Sequence, residues 1–366
     1  MDRSELQSAA GFRPVPTACR WKVGLDIGRS STVWRETEIR AGAPVIPTGT
    51  SFPTLMVCGG DDIPAAQGAQ TLEIGDAAVR SRDRLPVRSP FDLEESRRAL
   101  ALLDYAGALR RKIASSRAGR PWGVIAAPGA ATAGQIGELR AMAGQIFERF
   151  LVVEEPALAA MAVLHAPEGR HAIVVDLGAR GVRASLVGGS SVEPGHHVVV
   201  PQGGDAVDAA LGRLLLQIHP DLVLTDWTLA RMKEQLGFVH PAERKVRLKL
   251  ALNGSLRILD ITAVLREACG ILAASALKAV REALARCPSD HMEEFISSII
   301  IVGGGAALQG LPRMIQDGLR KDGLDGAAVH TVRNPQALFA LGALKWALAT
   351  PDEAWGVPLF NYRPAA

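Results

Sequence analysis

Val23-Gly24-Leu25-Asp26-Ile27-Gly28-Arg29-Ser30-Ser31-Thr32-Val33 is echoed far downstream by Ile173-Val174-Val175-Asp176-Leu177-Gly178-Ala179-Arg180-Gly181-Val182-Arg183. Each stretch reads as an apolar strand, an Asp-x-Gly turn and a second strand. A chain that opens two halves with the same hairpin is a duplicated chain. The copies are unequal, because the first turn is rich in hydroxyls and the second carries arginines.

The bulk numbers fit two domains. With 366 residues, 48% of them hydrophobic, each half can bury its own core. Lys plus Arg (41) barely exceed Asp plus Glu (38), and aromatics are 5%, so composition argues against a nucleic-acid partner. Cys19, Cys58, Cys269 and Cys287 have no metal-ligand spacing and fit reduced thiols in a cytoplasm. The eight histidines form no paired-ligand motif, His196-His197 reads as a loop pair, and no structural zinc is expected. No apolar run is long enough to span a membrane, and residues 1–20 lack the apolar core of a signal peptide. They read as a disordered tail, and the expected location is cytoplasmic.

After the first hairpin, a Pro/Gly-punctuated stretch reads as a small inserted subdomain of about residues 43–90. Its arginines, Arg80, Arg82, Arg84 and Arg88, are either a solvated face or a subunit contact. From Phe91 the pattern turns helical, with Leu100, Leu103 and Leu109 as the apolar stripe. A buried strand at 122–128, a helix from Gln135 to Phe150, a strand at 150–153 and a helix opened by Glu154-Glu155-Pro156 follow. Beyond the second hairpin come Gly203-Gly204-Asp205, a helix over 206–219, a mixed region to about Leu259 and helices over 264–286. The strand Ile299–Val302 then runs into Gly303-Gly304-Gly305 and a helix over 306–319, and an Ala/Leu-rich helix over 335–348 closes the chain. Alternating strands and helices in two halves define an α/β architecture.

The chemistry sits at the turns. Backbone N–H groups around Gly28 form an anion-binding concavity, and Ser30, Ser31 and Thr32 add hydroxyl donors. Asp26 stands where a carboxylate can hold Mg2+ through its waters. In isolation the same residues serve equally well merely to make a turn. The triple glycine admits a flat ligand close to the backbone. It fits neither G-x-G-x-x-G with a downstream acid nor G-x-x-x-x-G-K-[ST], which argues against Rossmann and P-loop chemistry. Two hairpins facing across a cleft could hold a nucleotide's phosphates and metal from both sides.

The order hairpin, Glu-Pro helix, hairpin, Gly-Gly-Asp, Lys-Glu-Gln, Gly-Gly-Gly resembles the actin, Hsp70 and sugar-kinase ATPase superfamily, and within it the bacterial actins of the MreB type. The segments Ile218–Leu222, Lys233-Glu234-Gln235 with Phe238-Val239, and Pro351–Trp355 resemble the branch whose filaments carry magnetosomes. The likeness runs from about Val23 to Trp355. It implies an actin-like, ribonuclease H-like duplicated fold with a nucleotide cleft between the domains. Residues 21–160 with 335–366 would be domain I, and 161–334 domain II, with a small subdomain at about 204–259. It also implies a cytoskeletal protein that binds ATP or ADP with Mg2+ and forms head-to-tail filaments with itself or acts on a related actin-like filament. Organelle adaptor proteins are the further partners, and magnetosome-like organelles the cargo.

Residue by residue, the resemblance makes Asp26, Gly28, Arg29, Ser30, Ser31 and Thr32 the first phosphate loop. Asp176, Gly178, Ala179 and Arg180 would form the second, with Asp26 and Asp176 on the metal side. Glu155 would activate the attacking water, although a helix N-terminal acid favoured by the macrodipole explains it equally. Gly203, Gly204, Asp205, Lys233 and Glu234 would border ribose and purine, and Gly303, Gly304, Gly305 and Leu308 would back the adenine.

The second hairpin departs from the Asp-x-Gly-x-Gly-Thr-Thr-Asp usual in bacterial actins. Arg180, Gly181, Val182 and Arg183 replace a glycine, two threonines and the closing carboxylate, and Arg29 in the first loop replaces a threonine. Arg180 could swing to the phosphates or fill their site. Weak or absent ATPase activity is the expectation. A non-polymerising pseudo-ATPase that binds or caps another filament is the alternative reading. A sugar or acetate kinase is disfavoured by the lack of an acceptor-site insertion, and an Hsp70-like chaperone by the lack of a peptide-binding domain.

Overall fold

The structure, a computed structural model, describes residues 21–40, 42–58, 72–114, 119–163, 171–188, 191–240 and 245–355. The expected tail lies outside them. The chain divides into two compact units, residues up to Glu168 with Ala337 onward, and Gly169–Gln336.

In the first unit, β1 (Trp21–Ile27) is buried along its whole length, as a strand covered on both faces must be. β2 (Ser31–Arg40) returns antiparallel to it, and β3 (Ala43–Pro44) and β4 (Thr48–Pro53) pair with β2. Residues 48–53 therefore belong to the main sheet rather than to an insertion. The separate element is a two-stranded piece, β5 (Met56–Val57) with β6 (Val87–Arg88), beside the short helix α1 (Asp76–Ser81). Arg80, Arg82, Arg84 and Arg88 are all exposed on it.

Helix α2 (Glu95–Ile113) buries Leu102, Tyr105, Ala106, Leu109 and Ile113. The stripe expected through Leu100 is displaced: Leu100 is 58% exposed, because two residues of helical rotation carry it off the face that contains Leu102. β7 (Trp122–Ala127) runs parallel to β1, and β8 (Arg149–Glu154) parallel to β7. Between them α3 (Ala133–Ile146) starts at a capping box. Gln135 N–H donates to Thr132 Oγ1 at 3.3 Å and Thr132 N–H to Gln135 Oε1 at 2.9 Å. The helix stops at Ile146, short of the expected Phe150, because β8 takes the chain from Arg149. α4 (Glu155–Val163) follows directly.

The C-terminal helix, Leu338–Ala349, closes this unit against β1 and α4. Its seat requires two glycines. A Cβ on Gly24 would lie 2.2 Å from Ala340 O and Leu344 N, and one on Gly342 would lie 2.0 Å from Leu158 O. Past the helix, the Pro351–Trp355 segment acquires a structural purpose. Buried Lys22 lies 4.4 Å from the ring centres of both Trp122 and Trp355, with Asp352 3.8 Å from its Nζ.

The second unit repeats the plan. β9 (His171–Leu177), β10 (Val182–Gly188) and β11 (Ser191–Val200) form an antiparallel meander. His196-His197 thus lies in β11 rather than in a loop, with His197 Nδ1 2.9 Å from Ser185 Oγ across the pair. Helices α5 (Gly204–Ile218) and α6 (Asp226–Leu236), the hairpin β12 (Arg247–Leu252) with β13 (Ser255–Asp260), and the long helix α7 (Thr262–Leu284) come next. α8 (Met292–Ser297) leads into β14 (Ile299–Val302), which lies parallel to β9, and α9 (Leu311–Lys321) leads to β15 (Val329–Thr331) on β14.

Both sheets share one path, in which the unit's third, second and first strands are followed by two later strands parallel to the first (β7 and β8, β14 and β15), and the first sheet adds β4 on β2 as a sixth strand. The duplication read from two hairpins is therefore a duplication of whole sheets. Among the described residues no helix is long and apolar enough to cross a membrane.

Gly24→Ala or Gly342→Ala should destabilise the protein by about 1–3 kcal/mol or more, since backbone rather than a flexible side chain would have to move. Urea unfolding checks this, and a wild-type midpoint in both variants would contradict the packing described.

Candidate functional site

Ligands of open α/β sheets bind outside the carboxyl ends of the parallel strands. In each unit the first strand ends there on Asp-x-Gly. The two turns have the same geometry: Gly28 N–H donates to Ser31 O at 2.9 Å, and Gly178 N–H to Gly181 O at 3.0 Å. A Cβ on Gly28 or Gly178 would stand 3.3 Å from the accepting carbonyl in both cases.

Around the first turn, several side chains are already committed. Arg29 Nε lies 2.6 Å from Asp92 Oδ1, while Ser89 Oγ donates to Arg29 O at 3.0 Å. The Thr32 hydroxyl is fully buried, 2.9 Å from Thr54 Oγ1 and 2.8 Å from Tyr105 Oη. It anchors β2 to the interior instead of facing outward with Ser30, which is exposed. Burial pushes the Tyr105 hydroxyl far up, so it stays a neutral partner in this trio. Asp26 is buried at the end of β1 with Val33 opposite it in the ladder. Glu155 is buried as the first residue of α4.

The second turn differs at the position equivalent to Val33. Arg183 stands opposite Asp176, and its Nη1 donates to Asp176 Oδ2 at 3.0 Å. Burial pushes the Asp176 carboxyl up, and the Arg183 charge and hydrogen bond pull it back. The other carboxylate oxygen lies close to Gly303, where a Cβ would stand 2.4 Å from Asp176 Oδ1. Gly303 also has φ +81°, so glycine is required twice over. Arg180, the arginine expected to reach toward or fill a phosphate site, is exposed at the turn, and it is Arg183 that engages Asp176. Gly181 has a steric reason to be glycine: a Cβ would lie 2.7 Å from Val200 O.

Several of the residues expected to border ribose and purine make contacts that seat this turn. Gly204 N–H donates to Gly178 O at 3.0 Å and Asp205 N–H to Ala179 O at 2.8 Å, so the turn occupies two amides that begin α5. A Cβ on Gly203 would lie 2.4 Å from Gly178 O. Lys233 Nζ then clamps the start of α5, donating to Gly204 O at 2.9 Å and to Asp208 Oδ2 at 2.7 Å. Asp208 was missed by sequence reasoning; it lies one helical turn from Gly204, at i+4, a spacing that could have flagged it. Burial pushes its carboxyl up against the pull of Lys233. Glu234 is exposed, with Arg231 3.5 Å away.

The triple glycine also resolves into parts. Gly304–Ala307 form a 3-10 turn, and the helix begins only at Leu311, after Gly310 at φ +84°. Gly305 is wedged against Leu177 and Leu272, and Leu308 is buried. Gly304 is exposed and has room for a Cβ, so of the three it offers the open approach.

One cluster escaped the sequence altogether. His171 Nδ1 lies 2.8 Å from Glu294 Oε2, and His291 Nδ1 3.3 Å from Glu294 Oε1. The imidazoles are stacked, 4.0 Å between centres and 24° between planes, so their in-plane lone pairs run side by side rather than converging on one ion. Hydrogen bonds from His171 and then His291 hold the Glu294 carboxyl below its ordinary range.

The fold and the paired Asp-x-Gly turns define an actin-like protein, and the match to the MreB/Mbl protein family over residues 98–349 shows that the chain belongs to that family. It is similar to the actin-like protein MamK of Paramagnetospirillum magneticum, 25% identical over 287 residues that cover 77% of this chain and 81% of the relative. A solved MamK double helical filament matches 91% of this chain and 100% of that one, with TM-score 0.77 and 22% identity. MreB5 of Spiroplasma citri bound to ADP matches 88% and 94%, with TM-score 0.70 and 14% identity.

Lys233→Met should cost about 2–3 kcal/mol, because it strands Asp208 as a half-buried carboxylate without its partner. Asp208→Asn should be milder, since the amide oxygen still accepts from Lys233; equal losses in denaturant unfolding would contradict this. The Cys269 thiol, pushed up to about 11 by burial, should stay unalkylated by iodoacetamide at about pH 8 in the folded protein. Peptide mass spectrometry showing labelling as rapid as in urea would contradict that.

Proposed function

We propose that this chain is a filament-forming cytoskeletal protein that binds ATP or ADP through the carboxyl-end turns of its two sheets. The observation that carries the reading is the repeated turn, Gly28 to Ser31 and Gly178 to Gly181, at the same place in two sheets of the same order. Family membership supports it, as do the MamK filament and the ADP-bound MreB5 among similar structures. Self-association is head to tail, and the cargo is a magnetosome-like organelle reached through adaptor proteins.

In this reading the first turn presents the exposed Ser30 to phosphate oxygens, the Gly28 amide closing the turn on Ser31 O, while Thr32 holds the strand rather than the ligand. Gly304 gives the base its approach to the backbone. Glu155, buried at a helix start, is the residue assigned to orient water. Hydrolysis is slow, because phosphoryl transfer depends on positioned charge and the second turn has Arg183 in place of its closing carboxylate.

Sedimentation and negative-stain microscopy with ATP, ADP and no nucleotide test the reading. Pelleted filaments are expected. Soluble protein that pellets only on a second actin-like filament would replace polymerisation with the capping role. Phosphate release is expected near that of an Asp176→Ala control; robust release lost in the control would overturn the assignment of slow hydrolysis.

A further inference from the structure

The family fold implies a divalent cation beside the second turn, and the residues there do not fit one. Mg2+ demands near-octahedral oxygen coordination at about 2.0–2.1 Å and keeps several waters. Of the two Asp176 oxygens, Oδ2 accepts from Arg183 Nη1 at 3.0 Å, and Oδ1 faces Gly303, where even a Cβ would lie 2.4 Å away. A cation held by Asp176, directly or through its waters, would stand beside a guanidinium of like sign.

The pair is set by the sheet. Asp176 and Arg183 are direct partners in the β9–β10 ladder, and the same ladder position in the first unit joins Asp26 to Val33. At this ladder position the two hairpins differ by a full charge. The guanidinium is also well placed: Nη1 lies 3.7 Å from where a Cβ of Gly178 would stand, directly under the turn. One N–H of five is spent on Asp176, and a guanidinium's rigid fork suits phosphate oxygens.

We propose that Arg183 takes the place of the divalent cation at the second turn, supplying a fixed positive charge to the nucleotide's phosphates, so that nucleotide binds with or without Mg2+. The proposal rests on the nucleotide-binding reading above and adds how the phosphate charge is met. The cation is covalently part of β10 and cannot be chelated. Nucleotide state in this protein is then decoupled from free Mg2+.

Equilibrium binding of a fluorescent ATP analogue and a fluorescent ADP analogue to the full chain, in Mg2+ and in EDTA, tests it. Wild-type affinity should change by less than about threefold between the two. Arg183→Lys should keep this insensitivity. Asp176→Asn/Arg183→Gln, a neutral pair that leaves no buried charge stranded, should bind at least about tenfold more weakly in EDTA, with circular dichroism confirming the fold. A wild-type affinity that falls about tenfold or more in EDTA overturns the proposal while leaving nucleotide binding intact. Folded wild-type protein that binds neither analogue in either buffer overturns the nucleotide reading itself, and this inference with it.

Discussion

The ion pair between Asp176 and Arg183 is the constraint around which the second unit's functional end is arranged. A buried carboxylate at a strand end must be compensated, and here the compensation comes from the directly opposed residue on the next strand. Once that pair is fixed, its neighbours have little freedom. Gly303 must be glycine because Oδ1 occupies the space a side chain would need, and both partners lie within ordinary contact distance of a Cβ placed on Gly178. The turn above the pair then hands two carbonyls to the first amides of α5, and Lys233 with Asp208 locks that helix start. A chain of contacts thus runs from one cross-strand charge pair to Lys233.

The first unit solves the same geometric problem with different chemistry. Its turn has the same hydrogen bond and the same clearance at the glycine, yet the ladder partner of Asp26 is Val33. Its strand is anchored by the neutral Thr32–Thr54–Tyr105 trio, and its lone buried lysine, Lys22, is held between tryptophans at the opposite end of β1. The duplicated sheets therefore present one turn whose carboxylate has a valine as its ladder partner and another whose carboxylate has an arginine.

Much of the architecture was legible because it rests on local pattern. The two hairpins, the buried strands at β7 and β14 and the Ala/Leu-rich last helix each follow from apolar runs bounded by turn residues. The face of α2 was misread because Leu100 is only two positions from the true stripe, and spacing alone does not fix helical phase. Residue roles were less legible. That Thr32 turns inward depends on Tyr105, 73 positions away, and that Arg183 rather than Arg180 meets Asp176 depends on ladder register. The His171–Glu294–His291 cluster spans more than a hundred positions and left no spacing to read. Pro351–Trp355 was recognised by likeness, yet its physical task, enclosing Lys22, appears only in the folded unit.

The central claim, that a protein guanidinium occupies the metal's place at the second turn, is tested most directly by a nucleotide-bound experimental structure obtained in the presence of Mg2+. The account predicts nucleotide density with Arg183 still on Asp176 and no metal ion within coordination distance of that carboxylate. A metal ion bound at Asp176, with Arg183 turned away to solvent, would contradict it.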